Sequence, residues 1–256
     1  MEKIQVKGVG IEVQRIAGPV GRPLAPIIFL HEGLGSVAMW RDWPRQVCVE
    51  TGRAGIVYSR RGYGHSDSIP DVRGRGRLGP DYMHREALEE LPALLAALDI
   101  TSPVLLGHSD GATIALLHAS RFPVTACVVM APHVIVEDLS VQSIAQARDA
   151  YGSGNLRERL KRYHADVDCA FWQWNDIWLS AAFRDFDIRA ECRRIDAPVL
   201  AIQGEEDPYG TLLQIEGVAP RGRFEQLLLP QCGHSPHRDQ PDRTRERIAR
   251  FLVDLP

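Results

Sequence analysis

Short runs of apolar, often branched residues punctuate the chain at 26–31 (PIIFLH), 54–59 (AGIVYS), 103–107 (PVLLG), 126–132 (ACVVMAP), 198–204 (PVLAIQG) and 224–230 (FEQLLLP). Both alternating faces of these runs are apolar, which predicts strands covered on both sides. Segments at 82–100, 111–122 and 242–255 are helical instead; in the first, Leu88, Leu91, Leu95 and Leu98 recur near helical spacing. Alternation of the two patterns predicts a mostly parallel sheet with helices on both faces. The N-terminal MEKIQVKGVGIEVQRIAG alternates apolar and polar residues and reads as strand, glycine turn, strand.

One interval breaks the rhythm. Between 133 and 194 no buried strand is evident, and helical stretches such as SVQSIAQARDAYG and NLRERLKRYHADVDCAFWQWNDIWL carry dense aromatics. The expected organisation is a core of residues 1–132 and 195–256 with a helical cap, 133–194, inserted into it.

The chain has 256 residues, 45% hydrophobic and 25% charged, with a formal net charge of -3. That suits one sizeable domain and offers no large positive field for nucleic acid or an anionic membrane. The five cysteines are scattered without a C-x-x-C pair, so neither a disulfide framework nor a zinc ribbon is expected. With no signal-peptide pattern and no run long enough to span a bilayer, a cytoplasmic protein is the expectation.

The string GHSD occurs at 64–67 and again at 107–110. The first copy lies in a polar, glycine-punctuated loop. The second has a strand directly before it and a helix of small and aliphatic residues directly after, and Gly111 completes Gly107-x-Ser109-x-Gly111. A serine on a sharp strand-to-helix turn projects its hydroxyl above the sheet, and the helix N-terminus offers free N–H groups to a developing oxyanion. Ser109 is therefore the candidate nucleophile and Ser66 a loop residue.

A serine needs a base, and the base needs an orienting acid. In a doubly wound sheet both should follow later strands. After the run at 198–204 come Glu205, Glu206 and Asp207, of which Asp207, stiffened by Pro208, is the candidate acid. After the run at 224–230 comes Gly233-His234, with His234 the candidate base and His237 its competitor, read as a capping or rim residue. The pair His234 and His237 is H-x-x-H, but a companion carboxylate set for a metal is missing. The glycines of 29–40 (FLHEGLGSVAMW) let backbone approach a bound carbonyl, so the N–H groups of Gly33 and Asp110 are the expected oxyanion donors. GRGRLG at 74–79 matches a dinucleotide fingerprint but has no strand before it, so it reads as an exposed loop.

With these residues in place, the chain resembles the α/β-hydrolase family. HEGLGS corresponds to its oxyanion loop, SRRGYGHSD to the loop after the next strand, GHSDG to the nucleophile elbow, GEEDP to the acid loop and CGHSPHRDQP to the histidine loop. The resemblance spans nearly the whole chain. It implies the α/β-hydrolase fold, a helical lid at 133–194, and the lidded branch of small esterases, lactonases, thioesterases and C–C bond hydrolases.

Glu32 stands where the family usually has glycine, and is expected in a salt bridge with Arg41, Arg60 or Arg61 rather than facing the pocket. His108 and Asp110 replace residues that are frequently bulky and apolar. The expected activity is hydrolysis of an ester, thioester or lactone of a small apolar or aromatic acyl substrate through an acyl-enzyme, with no cofactor and no metal. Leu34, His133, Trp174 and Trp178 are the candidate substrate-lining residues, each tryptophan equally readable as lid core. The alternatives are a C–C bond hydrolase of a ring-fission diketone, against which Ser235 follows the base where tryptophan is frequent, and a non-catalytic ligand receptor. An exposed lid or edge strand could support a homodimer, though no signature marks one.

Overall fold

The computed structural model describes every residue except Val20, Arg22 and Pro23. Eight strands form one sheet: β1 (Glu2–Val6), β2 (Val9–Ile16), β3 (Ile27–Leu30), β4 (Gly55–Tyr58), β5 (Val104–His108), β6 (Ala126–Met130), β7 (Val199–Gly204) and β8 (Phe224–Leu229), in the order β1-β2-β4-β3-β5-β6-β7-β8. The hairpin β1–β2 turns at Lys7-Gly8, both at positive φ, and β2 lies antiparallel to β4; β3 to β8 are all parallel.

The inner strands alternate between two apolar layers, as period-two side chains must. Ile28, Leu30, Leu105, Cys127 and Val129 join the layer under the helix Asp110–Ala119 and the inserted helices. Ile27, Phe29, Val104, Leu106, Val128 and Met130 join the layer under the helices Trp43–Thr51 and Pro241–Leu252.

The segment 82–100 is not one regular helix. Tyr82–Arg85 is α-helical, Glu86–Glu90 is a π turn and Leu91–Ala97 is α-helical again. Pro92 has no N–H to give the carbonyl four residues back, so the ladder is re-registered just before it.

Between β6 and β7 lie the helices Asp138–Ser153, Leu156–Leu160, Val167–Trp178 and Arg189–Cys192. They are clasped to the rest of the chain. The Ala165 N–H donates to Gly64 O at 2.8 Å. Ser143 Oγ donates to Pro208 O at 2.6 Å. Among the described residues, no helix is long and apolar enough to cross a membrane.

Candidate active site

Ser109, Asp207 and His234 come from three different loops, each at the carboxyl end of a parallel strand, and meet in space. Ser109 follows β5 with φ 54° and ψ -120°, a strained conformation for a residue with a side chain. Its surroundings show why the motif needs glycines. A β-carbon on Gly107 would lie 2.3 Å from Gly111 O, and one on Gly111 would lie 2.2 Å from Leu30 O. The helix Asp110–Ala119 is thereby seated directly on the end of β3.

His234 Nδ1 lies 2.9 and 2.8 Å from the two carboxylate oxygens of Asp207. A carboxylate accepts, so Nδ1 carries the proton and Nε2 is left bare to accept from Ser109 Oγ, 2.9 Å away. Asp207 also accepts from the Tyr209 N–H at 2.8 Å and from Gln203 Nε2 at 2.7 Å. Burial alone would raise its carboxyl; the His234 bond and charge and the Tyr209 N–H outweigh that and hold it below the usual range. Glu205 and Glu206, its sequence competitors, are exposed, whereas Asp207 is buried.

The loop after β3, the candidate oxyanion loop, is organised through its backbone. The Glu32 carbonyl accepts from three donors: His31 Nδ1 at 2.6 Å, Arg60 Nη2 at 3.0 Å and the Gly35 N–H at 3.0 Å. In a trans peptide the N–H points opposite to the C=O, so these donors also fix the Gly33 N–H. His31 can donate from Nδ1 because its Nε2 accepts the Arg60 N–H at 3.0 Å. Burial, then the Arg60 charge, keep that ring neutral, well below the ordinary histidine range. As the first residue of its helix, Asp110 has no intrahelical acceptor for its N–H.

The Asp110 side chain has a role of its own. It is buried and accepts from Tyr82 Oη at 2.6 Å; Trp178 Nε1 in turn donates to Tyr82 Oη at 3.0 Å. Trp178 also stands edge-on to His133, ring centroids 4.8 Å apart, and His133 is 5.6 Å from His234. Trp174 lies over Gly33, and the Leu34 carbonyl accepts from His164 Nε2 at 3.0 Å. A cavity of about 450 Å³ is lined by Arg60, Tyr82 and residues 75–79, and Ser109 and His234 do not line it.

Two expectations are corrected. Glu32 does not pair through its carboxylate with Arg41, Arg60 or Arg61; it lies 3.2 Å from Arg238 Nη2 and 3.5 Å from His108 Nδ1. Sequence distance hid both partners, since neither is near residue 32 in the chain. His237 is no rim residue: it is buried against Trp40 and Trp43 at 4.8 and 5.5 Å. Ser66 is structural, its Oγ donating to Ser59 O at 2.6 Å and accepting from the Glu12 N–H at 2.9 Å. Sequence reading named Arg60 only as a partner for the Glu32 carboxylate and missed Tyr82 and His164, since a tyrosine opening a helix or a histidine in a polar stretch carries no sign that it is buried.

The sequence profile of the alpha/beta hydrolase family matches residues 27–247. The chain belongs to that family. It is 23% identical to a proline iminopeptidase of Levilactobacillus brevis, over 93% of this chain and 92% of the relative. It is 27% identical to the putative carbamate hydrolase RutD of Agrobacterium fabrum, over 90% and 94%. The enol-lactonase of Burkholderia xenovorans superposes with a TM-score of 0.74 at 19% identity, covering 98% of this chain and all of the other (100%). These likenesses identify an alpha/beta-fold hydrolase.

Proposed function

We propose that this hydrolase cleaves a carboxylic ester, thioester or lactone of a small apolar or aromatic acyl group through a Ser109–His234–Asp207 triad. The observation that carries the reading is the unbroken hydrogen-bonded line from Asp207 through His234 to a serine on a strained elbow. His234 takes the Ser109 proton as Oγ attacks the carbonyl carbon. The Gly33 and Asp110 N–H groups receive the oxyanion. His234 then protonates the leaving group, and water, deprotonated by the same ring, releases the acid and restores Ser109. The aromatic surfaces of Trp174 and Trp178, with His133 and Leu34, favour an apolar or aryl acyl group; residues 133–194 act as its lid. The named relatives, among them a lactonase and a carbamate hydrolase, support attack on an acyl carbonyl.

The test is a panel of p-nitrophenyl esters with acetyl, octanoyl and benzoyl groups, an aryl-CoA thioester, a lactone, proline p-nitroanilide and a ring-fission diketone. A fluorophosphonate probe is run alongside. Wild type is expected to hydrolyse members of the ester, thioester or lactone group and to be labelled, and Ser109→Ala to do neither. Turnover of the diketone alone would move the reaction to C–C hydrolysis, and an unlabelled wild type with no turnover would refute the triad.

A further inference from the structure

Two of the places where the sequence departs from the family pattern, Glu32 and His108, meet directly behind His234. His108 is 1% exposed. Its Nε2 lies 2.7 Å from the His234 main-chain carbonyl. A carbonyl only accepts, so Nε2 carries a hydrogen. Its Nδ1 lies 3.5 Å from Glu32 Oε2 and has no hydrogen-bond partner among the described residues. That separation is longer than a well-formed N–H···O bond and falls within ion-pair range. A bare Nδ1 would turn its lone pair toward a carboxylate oxygen in a buried site, which is repulsive. A second proton makes the contact attractive.

We propose that Glu32 and the buried His108 form an ion pair that positions His234. The Glu32 carboxylate retains the proton on His108 Nδ1. The His108 Nε2–H in turn fixes the main chain of His234, and with it the reach of the ring to Ser109 Oγ. Both are positioning residues, since neither touches the reacting atoms, and the proposal rests on the triad reading above.

The surrounding groups fit a charge-paired site. Arg238 Nη2 lies 3.2 Å from the other Glu32 oxygen. Burial acts to raise the Glu32 carboxyl, but His108, Arg238 and His237 outweigh it and hold it well below the ordinary carboxylate range. The rings facing His108 are His234 at 5.1 Å, His237 at 4.8 Å and Trp40 at 6.4 Å. Burial, then His108, depress His237 well below its ordinary value, so it does not compete for the proton. The flanks of the loop have their own anchors, the Gly233 N–H on Asp239 Oδ2 at 2.8 Å and the Glu206 N–H on Cys232 O at 3.0 Å. Asp207 holds the His234 ring, and His108 Nε2 holds its main-chain carbonyl.

The test combines nitrogen NMR of histidine-labelled protein with kinetics on the best ester of the panel. Wild-type His108 is expected to keep its second ring proton to higher pH than His108 in Glu32→Gln, where the carboxylate charge is gone. His108→Phe, which loses the donor, is expected to lower kcat about 10- to 100-fold with KM within about threefold, the scale of a misplaced catalytic group. His108→Gln, whose amide N–H can reach the same carbonyl, is expected to recover most of that loss. A His108 ring that loses its second proton at the same pH in wild type and Glu32→Gln, or an unchanged kcat in His108→Phe, would overturn the proposal. Should His108→Phe fail to fold, the NMR comparison and His108→Gln decide. Fluorophosphonate labelling of wild type separates the two readings: its absence strikes the triad while the nitrogen spectrum still judges the pair.

Discussion

The Trp174 indole fills the space beside Gly33 that any side chain would need: a β-carbon there would lie 2.2 Å from Trp174 Nε1 and 2.4 Å from its Cδ1. The indole is part of the helix Val167–Trp178 and is mostly buried, so it cannot swing freely aside. Gly33→Ala should therefore displace the oxyanion loop and lower kcat/KM by roughly tenfold or more, the scale of weakening one oxyanion donor. In a Trp174→Ala background the same glycine change should cost much less. A double-mutant cycle on kcat/KM reads this directly. Equal costs in both backgrounds would show that the indole is not the obstacle.

Asp207→Asn should drop kcat by about 10³- to 10⁴-fold, because the amide no longer favours the His234 tautomer with its proton on Nδ1. A stability signature accompanies it. The Asp207 carboxyl lies below its ordinary value: burial raises it, and the His234 hydrogen bond and charge and the Tyr209 N–H more than reverse that. Its stabilisation is thus present above the unfolded value of about 3.9 and lost as pH falls through the folded one. The Tm difference between wild type and Asp207→Asn, measured from pH 7 downward, should narrow below about pH 4.

The strands and the serine elbow were legible because their signals are local. A run apolar on both faces is a buried strand wherever it packs, and Gly107-x-Ser109-x-Gly111 between strand and helix dictates its own turn. Asp207 and His234 were legible because they follow strands whose ends must converge. The polar groups around them were not. Glu32 finds its partners at residues 108 and 238, and His164 reaches from the segment between β6 and β7 to both Gly64 and Leu34. Such pairings depend on how loops fold over one another, and no periodicity encodes them. The interruption at Glu86–Glu90 was foreshadowed by Pro92 alone.

Buried histidines should make the protein acid-sensitive well above the carboxylate range. Burial, reinforced by the His234 charge, pushes His133 down to about 3. Burial also lowers His118 and, well below their ordinary value, His31 and His237. Below about pH 6.5 the unfolded chain binds protons that these folded rings refuse, so stability falls as pH falls from there toward the folded values. Wild-type Tm should drop between pH 7 and pH 5. His118→Phe, remote from Ser109, and His133→Phe should each show a shallower drop. An identical slope in both variants would mean that these rings do not carry the effect.

Arg53 ties the chain's end to the sheet. It is buried, and its guanidinium donates from Nη1 to Ala25 O at 2.9 Å and Pro256 O at 2.7 Å, and from Nη2 to Leu252 O at 3.2 Å and Leu255 O at 2.7 Å. The fork thus satisfies carbonyls just before β3 and at and just past the end of the helix Pro241–Leu252. An ammonium group cannot cover carbonyls spread along a planar fork. Arg53→Lys should cost about 2–4 kcal/mol in urea unfolding, since hydrogen bonds to charged groups are worth about 1.5–3 kcal/mol each and one ammonium replaces a fork that serves four carbonyls. Arg53→Met should cost at least as much, and both should speed amide exchange in the last helix while leaving Ser109 labelling by a fluorophosphonate intact. Wild-type unfolding midpoints in the two variants would show that these carbonyls are satisfied without the guanidinium.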